Sequence, residues 1–254
     1  VKFLKYLLVC LLLICAIVPA NAAFSMVETA QGTNGTSGNS MTFTSLNVGS
    51  ASSGRIILCL ITSRFNQSTA TVGTVTIGGI SATQVSGAQF SNATTQDLFT
   101  DAWYAVVPTG TTATVVVTLS FGGDTMDRTQ VGLYAITGGL STPTAAFGGS
   151  ASSSGTSSMS VTVPSGGQVA CAWMDRLQVG GVTWHNATVD ATTTVPNVGS
   201  GTNSDVSIAH ATSTASVSVT DAGSDFSSVI VGVAWAPSAA PTPVPTRTIM
   251  GVGE

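Results

Sequence analysis

Beyond position 23 the apolar residues come in short runs or in strict alternation, and nowhere at helical spacing sustained over three turns. Ser158-Met159-Ser160-Val161-Thr162-Val163 alternates with period two, the mark of a strand with one buried face. Val115-Val116-Val117-Thr118-Leu119 and Ser216-Val217-Ser218-Val219-Thr220 are β-branched and too short for helices. Val75-Thr76-Ile77-Gly78-Gly79-Ile80 reads as a strand entering a glycine hairpin. Short strands at regular intervals, with Gly, Ser, Asn and Pro between them, predict an all-β chain folded as a sandwich or barrel.

The one long apolar run lies at the start. Lys2 and Lys5 precede a leucine-rich stretch from Tyr6 to Val18, and Pro19-Ala20-Asn21-Ala22 closes it with an A-x-A pattern. This is the anatomy of a secretory signal peptide over 1–22, expected to be helical and cleaved after Ala22 or Ala23. Its apolar stretch falls short of the ~20 residues that span a bilayer, so membrane contact is expected only through this segment if it stays uncleaved. With the leader gone, lysine is gone too. The remaining cations are Arg55, Arg64, Arg128, Arg176 and Arg247, against eleven carboxylates. So few cations on an acidic chain exclude nucleic acid as a partner, because phosphates must be neutralised by Lys and Arg.

An internal repeat organises the rest. Ser53-Gly54-Arg55-Ile56-Ile57-Leu58-Cys59-Leu60-Ile61-Thr62-Ser63-Arg64 aligns without a gap on Ser165-Gly166-Gly167-Gln168-Val169-Ala170-Cys171-Ala172-Trp173-Met174-Asp175-Arg176. Further matches follow in the same order: Ala22-Ala23-Phe24 with Ala145-Ala146-Phe147, Met41 with Met159, Ile77 with Trp184, Asp101 with Asp205, and Val131-Gly132-Leu133 with Val231-Gly232-Val233. A collinear repeat of this period is domain-sized. The expectation is two similar antiparallel β-sandwich domains in tandem, jelly-roll or Ig-like, over 23–140 and 141–238. The alternative is one sandwich whose sheets descend from the two copies. Residues 239–254 begin Ala-Ala-Pro-Thr-Pro-Val-Pro-Thr and are expected to form an extended linker or stalk.

The segment from Trp103-Tyr104-Ala105-Val106 through Pro108-Thr109-Gly110 into Thr114-Val115-Val116-Val117-Thr118, followed by Gln130-Val131-Gly132-Leu133-Tyr134, resembles a recurrent strand set in tandem β-sandwich proteins of phage particles and bacterial cell surfaces. The resemblance implies a fibre, tail, decoration or cell-surface component. The signal peptide favours the cell surface over the virion.

Candidate chemistry is sparse. His185 and His210 are the only histidines, with approximate repeat counterparts at Gly78 and Val106. His210 and Asp205 with a serine could be drawn as a hydrolase triad, but no G-x-S-x-G elbow surrounds any serine, and no enzyme activity is expected. No cofactor is expected either. Calcium is the one metal entertained, through Asp124 and Asp127 in one loop and Asp221 and Asp225 in its counterpart. Such aspartates are equally at home in turns. Among the aromatics, Trp173 and Trp235 share strand faces with apolar neighbours and read as core. Trp184 at a strand end, with His185 and Tyr104, is the candidate carbohydrate platform. Cys59 and Cys171, at matching repeat positions, are expected to be buried free thiols. Asn34, Asn66, Asn92 and Asn186 begin Asn-x-Ser/Thr sequons, which matter only in a glycosylating host.

The chain therefore reads as a non-enzymatic exported component of a cell surface or particle, acting in display, adhesion or assembly. Its expected partner is an extracellular or cell-surface glycan or protein, or a second copy of itself. A carbohydrate-binding module is the alternative, and a secreted hydrolase comes third.

Overall fold

A computed structural model describes residues 23–65, 71–92, 98–120, 125–152, 156–176, 181–196, 203–212, 216–221 and 227–239. The signal segment 1–22, Asn66, Asp124, Asp225 and Arg247 lie outside the described residues. Phe24–Ser238 form one compact unit, and every regular element described in it is a strand. The first half contributes β1 (Ser25–Asn34), β2 (Ser40–Asn47), β3 (Ile56–Phe65), β4 (Val72–Ile77), β5 (Ile80–Ser81), β6 (Thr83–Gln84), β7 (Phe90–Asn92), β8 (Leu98–Val106), β9 (Thr112–Leu119) and β10 (Met126–Thr137). The second contributes β11 (Ala145–Ser152), β12 (Thr156–Met159), β13 (Gln168–Asp175), β14 (Val182–His185), β15 (Thr188–Val195), β16 (Ser204–Ala211), β17 (Val217–Asp221) and β18 (Ser227–Trp235).

These strands make four antiparallel sheets. Sheet 1 runs β1-β10-β3-β8-β6, with β7 also on β8; sheet 2 runs β2-β9-β4-β5; sheet 3 runs β11-β18-β13-β16-β15; sheet 4 runs β12-β17-β14. Met41, Phe43, Val115 and Val117 of sheet 2 share a core with Ile57, Cys59, Ile61 and Leu133 of sheet 1. Met159, Trp184, Val217 and Val219 of sheet 4 share another with Val169, Cys171, Trp173 and Ile230 of sheet 3. A third core lies between sheets 1 and 3, where Leu58, Leu60, Tyr134 and Ile136 meet Ala170, Ala172, Ile208, Val233 and Trp235. The sheets are thus layered 2-1-3-4, a β-sandwich-like architecture with three apolar seams.

The layering explains two kinds of strand sequence. β9 in an outer sheet buries Ala113, Val115, Val117 and Leu119 and turns Thr112 and Thr114 to solvent, so it alternates. β3, β13 and β18 belong to inner sheets covered on both faces, and almost every residue in them is buried. Each fully buried Leu, Ile or Val there contributes about 1.5–3 kcal/mol. Cys59 and Cys171 are free and buried, each in the seam within its own half.

Strand order recurs between the halves: β1, β10, β3 and β8 in sheet 1 match β11, β18, β13 and β16 in sheet 3, and β2, β9, β4 match β12, β17, β14. Several contacts across the middle seam are reciprocal, while β18 also packs on β3 without an equal β10–β13 contact. β1 packs on β15 while β11 packs on β7; β10 packs on β16 while β18 packs on β8; β3 meets β13. That is the pattern of an isologous interface, with an approximate twofold passing between β3 and β13.

Register corrects parts of the repeat alignment. Cys59 stands opposite Leu133 and Trp103; Cys171 stands opposite Gly232 and Ala209. With the cysteines matched, Gly232 corresponds to Leu133 and not to Gly132. A one-residue offset puts the two glycines on opposite sheet faces. A Cβ on Gly132 would lie 2.6 Å from Ile208 Cγ2 across the middle seam, whereas one on Gly232 would strike Met159. Phe147, opposite Gly232, likewise corresponds to Ala30, opposite Leu133, and not to Phe24.

Arg55 shows where the halves part company. It is fully buried, and its guanidinium donates to the carbonyls of Gly49 (2.7 Å), Val107 (2.8 Å), Thr109 (2.8 Å) and Gly110 (3.0 Å), tying two loops to the end of β3. Gly167, its aligned partner, has no room for a side chain because a Cβ would meet the Trp235 carbonyl and Pro164.

Candidate functional site

The expected aromatic platform is only partly offered to solvent. Trp184 is 7% exposed, and its indole N–H donates to Ser207 Oγ at 2.9 Å. It belongs to the seam between sheets 3 and 4, with Trp173. Opposite Val219 on β17, it is drawn inward by the same alternation that buries Val217 and Val219. His185, its neighbour, is exposed and lies 3.2 Å from Thr220 Oγ1. Tyr104 is half-buried and packs edge-on against Trp235, with centroids 5.4 Å apart.

Of the aspartates proposed for calcium, Asp127 and Asp221 lie within the described residues. Burial pushes the Asp127 carboxyl up, the charge of Arg64 opposes that shift, and Arg128 lies 3.4 Å from its oxygen. Asp221 ends β17 opposite Val182. Among the described residues no group of three or more His, Cys, Asp or Glu is placed to hold a metal ion.

Two grooves at opposite ends of the middle seam bring chemistry together, and the twofold relates them. Leu58 faces Tyr104 and Ala170 faces His210. Thr83 flanks Tyr104 as Thr188 flanks His210. His210 therefore occupies the place of Tyr104, two residues from the expected counterpart at Val106.

At the His210 end, β15 carries a bulge. Val189 faces Ala209 and Ala191 faces Ile208, so Asp190 is an extra residue. At the other end Gln84 faces Trp103, and Val85 N–H reaches the Ala102 carbonyl with nothing inserted. The bulge aims Asp190 inward. Its Oδ1 lies 2.7 Å from His210 Nδ1, and its Oδ2 accepts from the Tyr134 hydroxyl at 2.7 Å. The Ala209 carbonyl lies 2.9 Å from the same hydroxyl and shares its one hydrogen with Asp190, so a first-half tyrosine is tied to two second-half strands. Burial, then the Asp190 charge, pushes the Tyr134 phenol well up. Glu28 lines the same cavity of about 350 Å³ with Gln168 and His210, and burial and Asp190 push its carboxyl up.

His210 is thus oriented by a carboxylate, as a general base would be, but the partner is Asp190 and not Asp205. Asp205 Oδ1 accepts from Thr194 at 2.8 Å instead. Among the described residues no hydroxyl or thiol is hydrogen-bonded to Nε2 of His210, and burial drives both thiols further from the reactive thiolate.

The Tyr104 end is a groove of about 290 Å³ lined by Gln84, Ser86, Tyr104 and the inter-half segment Thr142-Pro143-Thr144, with no charged residue in its wall. Gln84 Nε2 donates to Asp101 Oδ2 at 2.9 Å, and the Asp101 Oδ1 accepts from Ala102 N–H at 2.8 Å. Burial pushes the Asp101 carboxyl up to about 6, against the opposing hydrogen bonds from Trp103, Gln84 and Ala102.

Sequence reasoning missed Glu28, Gln84, Tyr134 and Asp190. Tyr134 and Glu28 gain their roles from contacts between distant strands, and the Asp190 bulge has no one-dimensional signature beyond a broken alternation at Val189-Asp190-Ala191. Set against known proteins, the chain matches no protein family, no curated protein and no solved structure.

Proposed function

We propose that this chain is an exported, non-enzymatic component of a cell surface or extracellular particle, built as two tandem β-sandwich domains by internal duplication and acting in display, adhesion or assembly. The carrying observation is the recurrence of one strand order in both halves, joined across an apolar seam with reciprocal contacts. A scaffold of this kind offers rigid, repeated surfaces on a chain with few ionisable groups. His210 is oriented by Asp190, and among the described residues no hydroxyl or thiol is hydrogen-bonded to its Nε2, which supports a binding role over a hydrolytic one. In this reading residues 1–22 are a cleaved leader and 239–254 a stalk.

The test is expression of the full chain in a bacterial host, followed by fractionation and intact mass of the product. Export with loss of the first 22 or 23 residues is the expected result. A product retained in the cytoplasm at full mass would overturn the exported assignment. Release of soluble fragments from a polymer substrate, abolished by His210→Ala, would overturn the non-enzymatic one.

A carbohydrate-binding role stands second. What favours it is the neutral groove containing Tyr104, since Trp184 is committed to the core.

A further inference from the structure

The Tyr104 groove has a composition the scaffold does not require. In the same place at the other end of the seam stand an imidazole and two carboxylates, His210, Asp190 and Glu28. Here the wall is an aromatic ring, a proline and the hydroxyls of Ser86, Thr142 and Thr144. Among the described residues no cation lines the wall to recognise an anion, and no carboxylate to recognise a cation. Asp101 and the Gln84 amide bonded to it lie on the opposite face of sheet 1, in register with Ile61 and Trp103.

Tyr104 is held by its edge-on contact with Trp235, so its ring is in position before a ligand arrives. A half-buried aromatic ring bordered by neutral donors and acceptors suits a ligand with an apolar face and a hydroxylated rim. The volume admits one or two six-membered rings. A peptide strand would need a sheet edge to pair with, and β6 at this edge is two residues long.

We propose that the Tyr104 groove binds the ring of a neutral saccharide, with Tyr104 as the stacking face and Ser86, Thr142 and Thr144 as hydrogen-bonding partners. This gives the adhesion reading a ligand class and rests on that reading for its setting outside the cell.

Saturation-transfer NMR on the full chain tests it, using the methyl glycosides of glucose, galactose, mannose and N-acetylglucosamine as probes and methyl glucuronide as the charged comparison. Transfer to at least one neutral glycoside is expected, retained in Tyr104→Phe and weakened roughly tenfold in Tyr104→Ala, the size of one lost aromatic contact. Thr142→Glu, on an exposed rim residue that leaves the core untouched, should weaken it comparably, and keeps the test valid should Tyr104→Ala fail to fold. Absence of transfer to every neutral glycoside overturns the proposal. So does transfer unchanged in folded Tyr104→Ala and Thr142→Glu, or stronger transfer to the glucuronide. A chain that is exported but indifferent to all glycosides sinks the groove and leaves the adhesion reading standing. A chain that binds them but is never exported sinks the setting and leaves the groove.

Discussion

The two ends of the middle seam occupy matching strand positions and differ in kind. At one end Tyr104 sits in a wall that is neutral among the described residues. At the other, His210, Asp190 and Glu28 stand together, and Asp190 holds Tyr134 from the opposite half. The contrast separates what the scaffold needs from what has been added to it. Strand order, the apolar seam and the paired cysteines are common to both halves; the bulge, the histidine and the tyrosine hydroxyl are not. Features confined to one end are the place to look for function, because the twin end shows that the fold stands without them.

The comparison can be broken at its base by filling the seam that both ends share. Gly132→Val would drive a side chain into Ile208, and a loss of about 3 kcal/mol is expected in chemical denaturation. A smaller penalty in an Ile208→Ala background would confirm where the clash lies; equal penalties would place it elsewhere.

Asp101 sharpens the contrast through pH. Its folded value of about 6 lies above the ordinary aspartate value near 4, so the folded state binds the extra proton. Stability should therefore fall as pH rises from about 4 to about 6 and level off above, by an amount on the order of 2 kcal/mol. Glu28 and Asp127 are shifted in the same direction, so the informative quantity is the difference between wild type and Asp101→Asn. A variant with an unchanged slope would remove Asp101 from the account.

Asp190→Ala tests the ionised end. It leaves the Tyr134 hydroxyl with one partner and His210 with none, and should cost about 1–2 kcal/mol. If Tyr134→Phe abolishes most of that effect in a double-mutant cycle, the bond joining the halves carries it. The smallest change expected is His185→Ala, an exposed side chain with one distant hydroxyl neighbour: less than about 0.5 kcal/mol by thermal melting.

Strand content was legible because period-two alternation in β9 and β17 has only one physical meaning when one face is wet; of the alternating run Ser158–Val163 only Ser158 and Met159 lie in β12, although Val161 and Val163 are still buried. The continuous runs around Cys59 and Cys171 were legible as strands as well, and two buried faces explain their lack of alternation. What could not be read was register. Sequence alignment paired Gly132 with Gly232 because both interrupt valine runs, yet one clears space for Ile208 and the other for Met159. The same ambiguity shifted the counterpart of His210 from Tyr104 to Val106. Trp184 looked like a loop-edge residue because β14 is short, but its pairing with β17 turns it into the core. Sites at the seam combine residues some hundred positions apart, and no local pattern announces such neighbours.

The reciprocal seam also bears on how the chain is made. On the proposed exported reading, a polypeptide threaded out of a cell N-terminus first completes β10, and with it sheet 1, before any strand of sheet 3 has emerged. For that interval Leu58, Leu60 and Ile136 face water, on a surface shaped to meet a near-copy of itself. The nearest available copy is the first half of another emerging chain. Crowded export should thus yield intertwined pairs in which first halves have married across molecules, and slow, dilute export should yield single chains, so the history of secretion would be written into the assembly state of the product.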